Sequence, residues 1–144
     1  MSYLIDTNIV SELRKGARAD RRVVDWFAGV AEDDLYLSVL TVGEIRKGIE
    51  RIRLRDRRAA ASIERWLHEV IDARGDRILP IDQAVAEEWG RLNVPDALPV
   101  VDGLLAATAA VHGFVLATRN VKDLLGTGVS LLNPFEPIPT ERQT

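Results

Sequence analysis

The sequence predicts an α/β fold: one domain with a central, mostly parallel β-sheet flanked by helices on both faces. Three observations carry that prediction. Short apolar runs recur along the chain, and segments of helical periodicity separate them. The runs read as short buried strands, and their alternation with helices predicts a parallel sheet covered on both faces. The 144 residues, 47% of them hydrophobic, match a single domain able to bury a core. There is no internal repeat, low-complexity stretch or interdomain linker. The domain is placed at residues 2–134, and 135–144, which includes Pro137 and Pro139, is read as an irregular tail.

Tyr3-Leu4-Ile5 reads as a short buried strand, ended by the turn or cap signal Asp6-Thr7-Asn8. A helix follows through Leu13 and stops at Lys15-Gly16. Asp20 to Val30 is helical, with Val23, Phe27 and Val30 on one face. Leu35 to Ser38 is a second strand. Thr41 opens a long helical region, and its second half repeats Ile63, Trp66, Leu67, Val70 and Ile71 at helical spacing before Arg74-Gly75-Asp76 ends it. Ile78 to Ile81 is a strand or extended link. Asp82 caps a helix carrying Val85, Trp89 and Leu92. Pro95 and Pro99 bracket a loop. Val100 to His112 is an apolar helix closed by Gly113. Phe114 to Ala117 is a strand, Val121 to Leu125 a short helix, and Ser130 to Leu132 a last strand.

Composition narrows the chemistry. With no cysteine, disulfides and thiolate zinc sites are excluded, which fits a reducing cytoplasm. The N-terminal residues lack the pattern of a signal peptide. No uncharged apolar run reaches the roughly 18 residues of a membrane helix, so no membrane partner is expected. The net charge of −3 is uneven. Arg46, Lys47, Arg51, Arg53, Arg55, Arg57 and Arg58 against Glu50 and Asp56 make 46–58 a +5 segment on a −8 remainder. Such a patch either holds a polyanion or acidic partner or is simply a solvated helix face.

Acidic and amide residues interrupt the apolar runs at Asp6, Glu44, Asp102 and Asn120, with Asp123 close behind. An ionised carboxylate in apolar surroundings is costly unless something positive meets it. Several such positions in one small domain point to a shared cation, and an all-oxygen site suits Mg²⁺ or Mn²⁺. Asp6 and Asn120 also follow predicted strands, where open parallel sheets place their sites. Each residue has a plainer reading as well. Asp6 caps a helix. Glu44 closes a capping box with Thr41. Asn120 caps the short helix, and Asp123 is its first-turn acid. Asp102 is hardest to explain this way, because the helix dipole offsets only about 0.3–1 kcal/mol of its desolvation. No serine lies in a Gly-x-Ser-x-Gly context, and no glycine-rich phosphate loop exists. His68, on the outer side of a helix, and His112, in a last turn, read as structural or solvated.

Five segments, in this order, resemble the PIN-domain family, specifically VapC-type toxins of type II toxin–antitoxin pairs. They are Leu4-Ile5-Asp6-Thr7-Asn8, Leu40-Thr41-Val42-Gly43-Glu44-Ile45, the run from Leu98 to Ala109, the turn from Ala117 to Asp123, and Asn133-Pro134-Phe135. The resemblance implies a metal-dependent endoribonuclease using Mg²⁺ or Mn²⁺. It carries the family's first three acids onto Asp6, Glu44 and Asp102, with Asp6 and Asp102 holding the metal. The fourth acidic position falls on Asn120, a departure that leaves Asp123 to supply the charge. Thr118 resembles the family's supporting hydroxyl and Asn8 an outer amide. Arg46, Lys47, Arg51 and Arg119 are the expected rim for RNA or antitoxin. The resemblance further implies a VapB-type antitoxin, a homodimer within a toxin–antitoxin hetero-oligomer, and operator DNA bound only through the antitoxin. Two other classes compete: a catalytically inactive PIN-like binding module, and a Mg²⁺-dependent phosphatase or phosphoacceptor.

Overall fold

A computed structural model describes residues 1–138. Five strands form a fully parallel sheet: β1 (Tyr3–Ile5), β2 (Leu35–Ser38), β3 (Ile78–Leu79), β4 (Val115–Ala117) and β5 (Leu131–Leu132). Their order is β3-β2-β1-β4-β5. The chain builds outward from β1 in one direction and later returns to its other side. The junction of β1 and β4 is therefore the point where strand order reverses, the place where open parallel sheets hold their sites, at the carboxyl ends of the strands.

Alternating side chains divide the core in two. Ile5, Leu35, Leu37 and Ala117 face α1 (Thr7–Leu13), α2 (Arg21–Ala28), α3 (Val39–Arg53) and α4 (Arg57–Arg74). Leu4, Leu79, Leu116 and Leu131 face α5 (Gln83–Leu92) and α6 (Val100–His112). This period of two explains the uniformly apolar strands, since both faces are covered. Ala106, Ala107 and Ala109 are fully buried, and their small side chains let α6 lie close against the sheet.

The helical region expected from Thr41 begins two residues earlier and is two helices, not one. Ser38 caps α3, its hydroxyl accepting from the Leu40 N–H at 3.0 Å. Asp56 caps α4 by accepting from the Ala59 N–H at 2.9 Å, so the chain reverses at Leu54–Asp56. Thr41 is then a buried residue inside α3, and the capping-box reading of Glu44 falls. Arg46 and Arg53 both grip Glu64, tying α3 to α4. The short helix after β4 is a 3₁₀ turn, Lys122–Thr127. Gly113 ends α6 in the left-handed region at φ 69°, as its sequence position implied.

His68 and His112 are exposed. Phe135, assigned to the tail, is buried in the same core cluster as Trp26 and Leu35, so the packed body reaches at least that residue. The rest of the tail reading, from Pro139 onward, lies outside the described residues. No described helix is long and apolar enough to cross a membrane.

Candidate active site

Asp6 leaves β1 at the β1–β4 junction, where its backbone N–H donates to the Ala117 carbonyl at 2.9 Å. Its backbone is extended and its carbonyl starts α1, yet its side chain does not cap that helix. Instead the carboxylate turns across the strand ends. The Thr118 hydroxyl donates to Oδ2 at 2.7 Å, and the Asn8 amide donates to the same oxygen at 3.3 Å. Thr118 is itself fixed by its backbone N–H to the Leu132 carbonyl.

Glu44 comes from α3. Thr7, in the first turn of α1, donates its hydroxyl to Glu44 Oε1 at 2.6 Å and lies 3.2 Å from the Thr41 hydroxyl oxygen. Asp102 comes from the first turn of α6 and accepts from the Asn120 amide at 2.6 Å. The Asn120 backbone N–H donates to Thr118 Oγ1 at 3.0 Å. Thus Thr118 links both ends of the site: its hydroxyl serves Asp6 while its oxygen receives Asn120.

The electrostatics single out Asp6, which is 5% exposed. Burial pushes its carboxyl above the ordinary value near 3.8. The Thr118 hydrogen bond opposes this, and the charges of Asp102 and Glu44 push it further up. No lysine or arginine pairs with it among the described residues.

A buried carboxylate with two acidic neighbours and no cationic partner fits a divalent cation, and oxygen donors select a hard one. The fit is to a hydrated ion rather than a closed cage. Among the described residues, no three carboxylate or imidazole groups stand close enough to enclose a metal by themselves. Mg²⁺ suits such a site because it retains several waters and takes one or two carboxylates.

The site therefore unites Asp6, Asn8, Glu44, Asp102, Thr118 and Asn120. It does not bring in Asp123, which is exposed and lines a separate cleft with Leu92, Val94 and Leu98. Val121, not Asn120, occupies the cap position of the 3₁₀ turn, because the Asn120 side chain is turned to Asp102. Of the rim, Lys47 and Arg51 are exposed, whereas Arg46 is engaged with Glu64. The Arg119 guanidinium lies 4.3 Å over the Phe135 ring, and its backbone N–H donates to Asn8 Oδ1. Sequence reasoning missed Thr7 as the residue that holds Glu44. A threonine after Asp6 reads as a turn signal, and only the approach of α3 reveals its partner.

The PIN-domain family model matches residues 3–123, and the chain belongs to that family. Within it, the chain is similar to the VapC ribonuclease Y4jK of Sinorhizobium fredii, with 35% identity over 93% of this chain and 98% of the relative. Among solved structures, FitAcB from Neisseria gonorrhoeae superposes with a TM-score of 0.83 at 30% identity, covering 94% of this chain and 99% of that one. A toxin–antitoxin complex from Klebsiella pneumoniae matches with a TM-score of 0.66 at 25% identity, covering 94% and 100%.

Proposed function

We propose that the chain is the toxin of a type II toxin–antitoxin system: a Mg²⁺- or Mn²⁺-dependent endoribonuclease that hydrolyses RNA phosphodiester bonds in the cytoplasm. One observation carries the reading: Asp6 is buried at the strand-order reversal, beside two further acids and without a cationic partner among the described residues. Family membership and likeness to a ribonuclease support it.

Asp6 and Asp102 are the proposed metal ligands. When bound, the cation supplies an activated water and neutralises charge on the phosphate. The protein's own groups do the rest. Thr118 and Asn8 orient Asp6, Thr7 aims Glu44, and Asn120 steadies Asp102. Glu44, exposed and held by Thr7, completes the acidic ring, through water or as a proton acceptor. Lys47, Arg51 and Arg119 form the rim that meets the RNA backbone. Arg46 contributes through its grip on Glu64, which fixes α3 as the platform for Lys47 and Arg51.

The proposed restraint is a VapB-type antitoxin, with the toxin as a homodimer inside the assembly and operator DNA contacted through the antitoxin. An apolar cleft of about 290 Å³, lined by Leu13, Phe27, Leu37, Trp66 and Val70, suits an antitoxin segment. Arg14 and Trp66 also line the adjoining groove that runs to Glu44, so a segment seated in the cleft can extend to the site.

The test is cleavage of a structured RNA by purified protein with Mg²⁺, with Mn²⁺ and after chelation, beside a phosphomonoester substrate. We expect RNA cleavage only with divalent cation, and none of the phosphomonoester. RNA cleavage unaffected by chelation refutes the metal reading, and phosphatase activity alone refutes the nuclease.

A further inference from the structure

Gly103 follows Asp102 inside α6, where glycine is a poorer helix former than alanine. Space explains it. A Cβ at this position would lie 3.2 Å from Trp89 Nε1 and 3.3 Å from both Trp89 Cδ1 and Leu98 Cβ. The indole of α5 and the loop before α6 thus close on the same bare backbone. Asn93 fixes both of them: its amide donates to the Trp89 carbonyl at 2.7 Å, and its carbonyl oxygen accepts from the Leu98 N–H at 2.9 Å. The Gly103 N–H makes the first turn of α6 by donating to the Pro99 carbonyl at 2.8 Å. Trp89 Nε1 is the buried side-chain polar atom left without a hydrogen-bond partner among the described residues. The indole's role at this contact is therefore one of shape, filling the space over Gly103, rather than of hydrogen bonding.

We propose that Trp89, braced by Asn93 and seated in the Gly103 notch, is a positioning residue for Asp102. It sets where the first turn of α6 sits relative to β1 and β4, and hence the reach from Asp102 to Asp6. The inference rests on the reading of Asp6 and Asp102 as the metal pair.

A mutational cycle tests it, read by Mn²⁺ affinity from calorimetry and by thermal stability of the metal-free protein. Gly103→Ala forces the indole and the first turn apart and should weaken Mn²⁺ binding about tenfold. Trp89→Leu removes the brace and should weaken it about threefold. Combined, the new methyl enters the space the indole vacated. The double variant should therefore bind Mn²⁺ better than Gly103→Ala alone, which is coupling between neighbours rather than addition. Val85→Ala, a core truncation elsewhere on α5, should lower thermal stability with Mn²⁺ affinity unchanged. Parental affinity in Gly103→Ala, additive losses in the double variant, or an equal affinity loss in Val85→Ala each overturn the proposal. Asp102→Asn separates this from the larger reading. If it also binds Mn²⁺ as the parent does, the metal site itself is misassigned. If it loses binding while Gly103→Ala does not, only the positioning role fails.

Discussion

Two buried acids bracket helix α1, and they are opposites. Glu12, at its C-terminal end, is 8% exposed, and Asp6, at its start, is 5% exposed. Glu12 accepts from Lys15 Nζ at 2.9 Å and from the Asp20 N–H at 3.0 Å. The Lys15 hydrogen bond leads the effects that hold its carboxyl below the ordinary range, with the Asp20 N–H next. Asp6 is pushed up by burial and then by Asp102 and Glu44, against the pull of Thr118. Similar solvent exposure with opposite pKa direction separates two purposes, although the Asp6 carboxyl is the more desolvated of the two. An acid given a cation of its own ties structure together, whereas one surrounded by more acids awaits a cation from outside.

The largest break in that comparison is at the proposed metal site. Asp6→Asn and Asp102→Asn should each reduce RNA cleavage by at least about 100-fold, beyond the usual loss from an outer-shell change. Asp6→Asn should also raise the melting temperature of the metal-free protein, because it removes a buried charge among like charges while Thr118 keeps an oxygen to donate to. Parallel cleavage and melting assays check both. Full activity in either variant removes that residue from the metal pair.

Glu12→Gln should behave in the reverse way, lowering the melting point by several degrees with cleavage unchanged well below it. The pH dependences have opposite signs as well. Glu12 titrates lower in the folded state, so its contribution is complete above the ordinary glutamate value and is lost as pH falls through the depressed one. Asp6 titrates higher when folded, so its penalty grows as pH rises from about 3.8 to the raised value. In metal-free melts against pH, Asp6→Asn should flatten the second trend and Glu12→Gln the first. The same profile in both variants would remove the distinction.

A smaller effect is expected at Asn120. Its amide meets Asp102 at 2.6 Å as a donor, a role no carboxylate can fill. Asn120→Asp sets two acids in contact, which should destabilise the metal-free protein and tighten Mn²⁺ binding on the order of tenfold. Cleavage need not follow, since tighter ground-state binding does not by itself stabilise the transition state. Calorimetry decides the matter, and weaker Mn²⁺ binding would mean that the amide is required as a ligand or donor.

How far the sequence reached depends on whether the signal was local. Strand positions, the α6 boundaries, and Asp6 and Asp102 as acids in apolar runs were legible, because period and desolvation are written in neighbouring residues. The reversal between α3 and α4 was not. Helical spacing continues on both sides of Leu54, and Asp56 among arginines reads as one more charge. The assignments of Arg46, Thr7 and Asn120 depended on partners far along the chain: Glu64, Glu44 and Asp102. A cap and a long-range hydrogen bond use the same residue types, so only the tertiary approach distinguishes them.

Asp123 is where that ambiguity matters most, and it carries the smallest predicted effect. Three residues after Asn120, it was expected to make up the charge missing from the fourth acidic position. That expectation needed Asn120 to cap the short helix and turn the next acid inward. Asn120 instead reaches Asp102, the segment winds as a 3₁₀ turn from Lys122, and Asp123 faces solvent in the cleft with Leu92 and Leu98. An exposed charge that bonds to none of the site residues acts on them only through its screened field, which fades over about 8 Å at physiological salt. Asp123→Asn should therefore change Mn²⁺ affinity less than about twofold at that salt, with any loss growing as salt is lowered. Calorimetry at two ionic strengths reads the difference. A tenfold loss at both would mean that Asp123 touches the ion or its waters in the loaded protein, and that the turn after β4 rearranges to bring it there.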